Sequence, residues 1–388
     1  MTFGKIIIAL LVFSIIIIIH EFGHFIVAKY NKVGVIEFSL GMGPRLISWG
    51  KTENGYKIIF FKSSKWLEEN PVFGDNTLYS WKLLPFGGSC MMLGEEDINV
   101  KDDRAFGQKS VYARMAIIFA GPFFNFVLAF LLSLIVIGCV GYDPATVSNV
   151  EEGSPAAVAG MQAGDTIKEV DGKNIVIDRD LSYHIMFHPF SEKEVSVTVE
   201  RNGEERVLTM TPQQKTVKDA EGADVTVYRC GFTHGLAERQ RVGVWSTIKY
   251  SAYEVKFWIG TTIQSLGQII KGNVSKDDIS GPVGIVKTMG DSITQSAENS
   301  KAGEAAKNVT LTLINIAILL TANLGVMNLI PIPALDGGRL LFLIIEWIRK
   351  KPLPQKFEAY VNAAGFILLM ALMVFIMGND IVNLIPKK

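Results

Sequence analysis

The sequence predicts a polytopic α-helical membrane protein of about four transmembrane helices, with a membrane-associated β loop after the first and an inserted soluble α+β domain after the second. Two observations carry this. Four long runs, Ile6–Ile19 continued by Phe25–Ala28, Met115–Val140, Val309–Ile332 and Ala359–Met377, are apolar and uncharged, and the stretches between them hold the charge. The composition agrees: 49% hydrophobic and 20% charged residues are too apolar for an ordinary soluble enzyme and too charged for a wholly lipid-embedded chain. The net charge is zero, which gives no reason to expect nucleic acid as a partner. Three scattered cysteines, Cys90, Cys139 and Cys230, make neither a disulfide framework nor a metal cluster.

Residues 1–30 form the first span, and it carries the most informative motif, His20-Glu21-Phe22-Gly23-His24. Positions i and i+4 share a helix face, so both imidazoles reach one metal ion, with Glu21 beside them to take a proton from an attacking water. From Ile6 to Ala28 the helix is roughly 34 Å long, enough to cross a ~30 Å hydrocarbon core, and it sets the motif inside the membrane. Ionisable groups at that depth mark functional sites. A cleaved signal peptide is the alternative for Lys5 and Ile6–Ile19, but no small-residue cleavage site follows.

Residues 31–110 read as a cytoplasmic-side β loop, with strands at Gly34–Leu40, Tyr56–Lys62 and Leu83–Leu93 and a turn at Asn54-Gly55. The last of these contains Pro85-Phe86-Gly87-Gly88, apolar and glycine-interrupted, suited to lie at the membrane face as an ordinary edge strand or as one that takes up an extended peptide. Residues 111–141 form the second span; Gly121 and Pro122 lie within it, and Asn125 is expected to pack against another helix. Residues 142–214 turn soluble and strand-rich, with a two-residue hairpin at Asn202-Gly203. Residues 215–308 continue the insert. They include an amphipathic helix striped by Trp245, Ile248, Ala252, Val255, Ile259, Ile263, Leu266 and Ile270, and a tight turn at Gly281–Ile285.

The third span, residues 309–338, ends in Asn328, Pro331 and Pro333 followed by Leu335-Asp336-Gly337-Gly338. With four crossings the first and third spans run parallel, so Asp336 falls at the depth of His20 and His24. It is either the third ligand of a two-His, one-carboxylate zinc site or a surface carboxylate near a helix end. Residues 339–357 form a loop with Arg339, Arg349, Lys350, Lys351 and Lys356 against Glu346, and residues 358–378 the fourth span. The basic excess predicts a cytoplasmic loop, so both termini and the insert are extracytoplasmic and the metal site lies toward the cytoplasmic side.

Together, His20–His24, Pro85–Gly88, Ala120-Gly121-Pro122 with Asn125, the insert with Gly-Ser-Pro-Ala-Ala and Ala-Gly-Asp, and Asn328 through Gly338 resemble the site-2 protease family of intramembrane zinc metalloproteases. The resemblance is to the bacterial RseP, RasP and Eep type, with the insert similar to a single PDZ domain. It implies Zn2+ held by His20, His24 and Asp336, Glu21 as catalytic base, and substrate contacts from Asn328, Pro331, Pro333, Gly87 and Gly88. It further implies cleavage of transmembrane segments of single-span proteins, such as anti-sigma factors and signal-peptide remnants, in a bacterial plasma membrane, after an upstream site-1-type protease has acted. Departures are Ser89-Cys90-Met91 after Gly88, less β-branched and aromatic than the family pattern, and a stretch from Ser63 to Asn76 that exceeds what the family loop needs. The alternative is a non-proteolytic PDZ membrane scaffold with a structural metal site. Such a site is normally closed by four protein ligands, and no fourth His, Cys or acid lies at that depth. A metal transporter would need acidic or His residues in the second and fourth spans, where there are none.

Overall fold

A computed structural model of the chain describes residues 3–70, 72–95, 100–218, 224–235, 239–273, 280–300 and 303–384. They form two compact units, one made of Met1–Ser133 with Trp258–Lys388 and the other of Leu134–Phe257. Among the described residues four helices are long and apolar enough to cross a membrane, at Gly4–Tyr30, Val111–Val140, Ala305–Leu329 and Lys356–Val382.

In the first unit, α1 (Phe3–Tyr30) leads into β1 (Val35–Thr52), β2 (Gly55–Phe60), α2 (Ser64–Glu69), β3 (Leu78–Met92) and α3 (Val111–Val140). The strands are longer than the sequence suggests. β1 runs on to Thr52 and β3 begins at Leu78, because both bend and pair twice. Residues 37–40 of β1 lie between residues 88–91 of β3 on one side and residues 78–81 on the other. The bend in β1 needs Gly41 and Gly43, whose φ values of 82° and 87° are open to glycine and strained for other residues. Glu37, 2% exposed, accepts a bidentate pair from Arg45 at 2.7 and 2.9 Å and so ties the two arms of the bent strand together. The stretch from Ser63 to Asn76 now has a role. Ser63 caps α2 through Trp66 N–H, and Trp66, Leu67, Val72 and Phe73 cover one sheet face over Ile59 and Leu78. A second apolar cluster, including Ala28, Val35, Met92, Ile117, Ile118 and Leu343, joins the sheet to the helices. It fixes the strand segment 88–92 against α1.

The second unit contains β4 (Val147–Val150), α4 (Pro155–Val158), β5 (Thr166–Val170), β6 (Lys173–Asn174), α5 (Asp178–Phe187), β7 (Val195–Arg201), β8 (Glu204–Met210), β9 (Gln213–Lys218), β10 (Asp224–Arg229) and β11 (Phe232–His234). Its main sheet has the order β6-β5-β7-β8 around an apolar core with Ile167, Val197 and Leu181, the arrangement expected of the PDZ-like insert. Asn202 and Gly203, at φ 56° and 84°, make the expected hairpin turn. The insert continues past residue 214, since β11 pairs with β4. The amphipathic helix α6 (Val244–Ile270) packs its first half here through Arg179–Glu254 at 2.7 Å and Tyr183 against Phe257.

Within this unit Asp165, 1% exposed, takes Arg201 at 2.6 and 2.7 Å. Burial alone would raise its carboxyl, but the Arg201 guanidinium holds it below the usual 3.8. A depressed folded-state pKa gives stability that is complete above the unfolded pKa of ~3.9 and is lost as pH falls through the folded value. Amide exchange in β5 and β7 should therefore lose protection on acidification below about pH 4. In Asp165→Asn, protection should already be reduced at pH 7, by about 1.5–3 kcal/mol, because Arg201 loses its carboxylate and keeps only the Gly160 carbonyl, to which it donates at 2.8 Å. Equal protection in the two proteins at pH 7 would refute the assignment.

The chain then returns to the first unit as α7 (Pro282–Glu298), α8 (Ala305–Leu329), α9 (Asp336–Arg349) and α10 (Gln355–Leu384). Gly281–Ile285, expected as a tight turn, is the start of helix α7. Asp380 of α10 accepts from the N–H groups of Gly281 and Gly284 at 3.0 and 2.8 Å and caps that start from across the fold. The third span also ends sooner than expected: α8 stops at Leu329, residues 330–335 interrupt the helix, and Asp336 opens a new one.

Candidate active site

His20 and His24 are each 7% exposed and stand one turn apart on α1, their rings edge to face with centroids 4.9 Å apart. Their Nε2 atoms are 3.3 Å apart, and Asp336 Oδ2, from the first turn of α9, lies 3.0 Å from one and 3.4 Å from the other. The ligand atoms of the three side chains all lie within 4.8 Å of one another.

The hydrogen bonds around these rings decide which nitrogens are bare. His24 Nδ1–H donates to the Ile117 carbonyl at 2.8 Å, in the turn of α3 that Pro122 disrupts, so Nε2 keeps its lone pair. Asn125 Nδ2 lies 3.2 Å from His20 Nδ1, and Asn125 Oδ1, fully buried, has no hydrogen-bond partner among the described residues. Turning the carboxamide over would give Oδ1 the His20 Nδ1–H and leave His20 Nε2 bare as well. Asp336 Oδ2 is buried and, among the described residues, accepts no well-aligned hydrogen bond. Two imidazole nitrogens and a carboxylate oxygen thus converge on one point, a donor set suited to a divalent cation. Ligands about 2.0–2.1 Å from a tetrahedral zinc stand roughly 3.3 Å apart, and these spacings fit that ion.

Small residues make the crossing of helices possible. A Cβ at Gly121 would fall 2.3 Å from His24 Nε2 and 2.8 Å from His20 Cε1, and one at Gly23 would fall 2.4 Å from the Ala120 carbonyl oxygen. Thr321 of α8 donates to the Asn125 carbonyl at 3.3 Å and holds that turn of α3 in place. Glu21, next to His20, accepts the Cys90 N–H of β3 at 2.9 Å, and Gly88 borders its side chain. Asn328 is half-buried near the end of α8, Pro331 is exposed and Pro333 half-buried in the helix break before Asp336. The break is held from α10, where Asn362 Oδ1 accepts from Ala334 N–H at 3.3 Å. Gly87 is buried beside Met42 at the bend of β3.

The sequence pattern of Peptidase family M50 matches residues 8–63 and 71–372. The chain belongs to peptidase family M50. A relative in Clostridium acetobutylicum, provisionally named a zinc metalloprotease, is 33% identical over 382 residues and covers 98% of each chain. The zinc metalloprotease RasP of Bacillus licheniformis is 29% identical over 435 residues, covering 97% of this chain and 98% of its own. The break in the M50 match, residues 64–70, coincides with α2, which accounts for the surplus length seen in the sequence. It is an added cover over the sheet.

Sequence reasoning missed the part Asn125 takes in this M50 site, reading it as a packing residue. The only signal was its polarity inside an apolar span, which does not name a partner 105 residues away. Asn125→Ala is expected to weaken metal binding by about 10- to 100-fold, the usual penalty for losing a group that orients a ligand. Competition against a zinc chelator in detergent measures this, and an affinity equal to wild type would return Asn125 to a packing role.

Proposed function

We propose that this M50 peptidase is a zinc-dependent intramembrane endopeptidase that cuts transmembrane segments of single-span membrane proteins. The observation that carries this reading is the convergence of three metal-ligating groups beside Glu21 on a helix long and apolar enough to span a bilayer. His20, His24 and Asp336 hold the metal. Zinc, when bound, supplies a Lewis acid that acidifies water and polarises a carbonyl. Glu21 takes the proton of the attacking water and delivers it to the leaving amine nitrogen.

A helical peptide bond has its carbonyl engaged, so the substrate must be drawn out as a strand before attack. The free edge of β3 at residues 88–92 runs beside Glu21 and suits that task, with Gly87 and Gly88 at its bend. Asn328, Pro331 and Pro333 border the helix break that precedes Asp336 and hold the substrate backbone on the opposite side. The basic residues Arg339, Arg349, Lys350, Lys351 and Lys356 support a cytoplasmic α9 and following loop, with the PDZ-like unit and both termini extracytoplasmic. In a bacterial plasma membrane that unit would admit substrates already trimmed by a site-1-type protease, among them anti-sigma factors and signal-peptide remnants.

Metal removal tests this. Purified protein in detergent should cut a single-span reporter within its span, lose cutting on chelation and regain it on adding zinc. Peptide binding that persists through chelation, with no cleavage of several reporters before it, would favour the scaffold reading instead.

A further inference from the structure

The free edge of β3 is already occupied. Along residues 88–93 the N–H groups alternate in direction, and Leu93 N–H donates toward β1, to the Gly34 carbonyl at 2.8 Å. Cys90 and Met92 N–H point the other way, where an added strand would bind. Each meets a carboxylate: Cys90 donates to Glu21 Oε2 at 2.9 Å and Met92 to Glu95 Oε2 at 3.3 Å. Glu95 is fixed in turn by Arg339, whose Nη1 donates to Oε1 at 2.5 Å from one turn beyond Asp336 on α9. Edge strands are commonly blunted by charged side chains. Here one of the blunting groups is the residue assigned as the base.

We propose that Glu21 and Glu95 plug the free edge of β3 while no substrate is present, and that a substrate strand must displace both carboxylates to pair there. The inference rests on the strand-addition reading above. A carboxylate can accept these N–H groups but offers no donor, so it cannot match an incoming strand, which supplies both C=O acceptors and N–H donors. Pairing therefore exchanges two side-chain contacts for a ladder and turns Glu21 toward the carbonyl to be attacked. Base and substrate are coupled through one backbone N–H. A peptide that fails to pair leaves Glu21 held on Cys90, which disfavours cleavage of helices that merely drift past.

Binding of one uncleaved single-span peptide to zinc-loaded inactive variants tests the coupling. Glu21→Gln keeps an oxygen for Cys90 N–H, whereas Glu21→Ala has none, so Glu21→Ala should bind about 5- to 10-fold tighter, one hydrogen bond's worth. Glu95→Ala in the otherwise wild-type enzyme should lower KM by a similar factor of about 5 to 10, acting on KM rather than kcat, with zinc content retained. Equal affinity of the two Glu21 variants overturns the plug at Cys90, and an unchanged or raised KM in Glu95→Ala overturns it at Met92. The strand-addition reading has its own arm. Cys90→Pro added to Glu21→Ala, where no plug remains at residue 90, should weaken the peptide by about 10-fold if the edge takes a strand. No weakening sinks strand addition itself; weakening with equal Glu21 variants sinks only the plug. Should the proline variant lose its zinc, the Glu95→Ala arm still decides.

Discussion

Glu21→Gln is expected to keep its zinc and lose about 10²- to 10⁴-fold in kcat on a single-span reporter, the usual worth of a positioned acid–base group. The two halves of this expectation come from different observations. Zinc is retained because the converging atoms belong to His20, His24 and Asp336, and Glu21 is not among them. Activity is lost because glutamine has no basic oxygen, although its amide still accepts the Cys90 N–H that orients Glu21. Size and hydrogen bonding are preserved, so the variant isolates proton transfer. Metal content by atomic absorption and single-turnover cleavage together give the answer. A variant that holds zinc and cuts at the wild-type rate would remove Glu21 from the mechanism.

Gly121→Ala is expected to abolish zinc binding while leaving the protein folded. The added methyl would stand 2.3 Å from His24 Nε2, the atom assigned to the metal, and 2.6 Å from its Cε1. Neither ring can retreat easily, since each is buried and His24 is tied to the Ile117 carbonyl. Alanine is favoured over glycine in a helix by about 1 kcal/mol, so α3 itself gains from the change. Gly138→Ala on the same helix is the control: nothing among the described residues lies within 4 Å of its Cβ, and it should keep full metal content. Stoichiometric zinc in Gly121→Ala would mean that the two histidines are not held as described.

Much of this was legible in the sequence. The spans follow from long uncharged runs, and the pairing of His20 with His24 from helical periodicity, both local signals. Asp336 was reachable by a topological argument, since parallel first and third spans bring their C-terminal ends to one depth. What stayed hidden depends on contacts between distant segments. Nothing in β1 announces that residues 37–40 pair on both sides, because a bend shows in sequence only as Gly41 and Gly43, which equally suggest a turn. Asp380 reads as a charge after the last span until Gly281 and Gly284 are placed beside it. The strand edge read as open is spoken for because Glu21 and Glu95 reach it from outside the sheet.

The helix break at residues 330–335 bears on when the enzyme becomes dangerous. His20 leaves the ribosome early; Asp336 follows 316 residues later, and the loop before it is steadied by Asn362 of α10. At ~5–20 residues per second that interval is roughly 15–60 s, during which the growing chain carries the two histidines without Asp336. With the ligand set proposed above, cutting would wait until the segment that carries Asp336 has been inserted. A truncated product released from a stalled ribosome would be inert among the membrane proteins being made beside it.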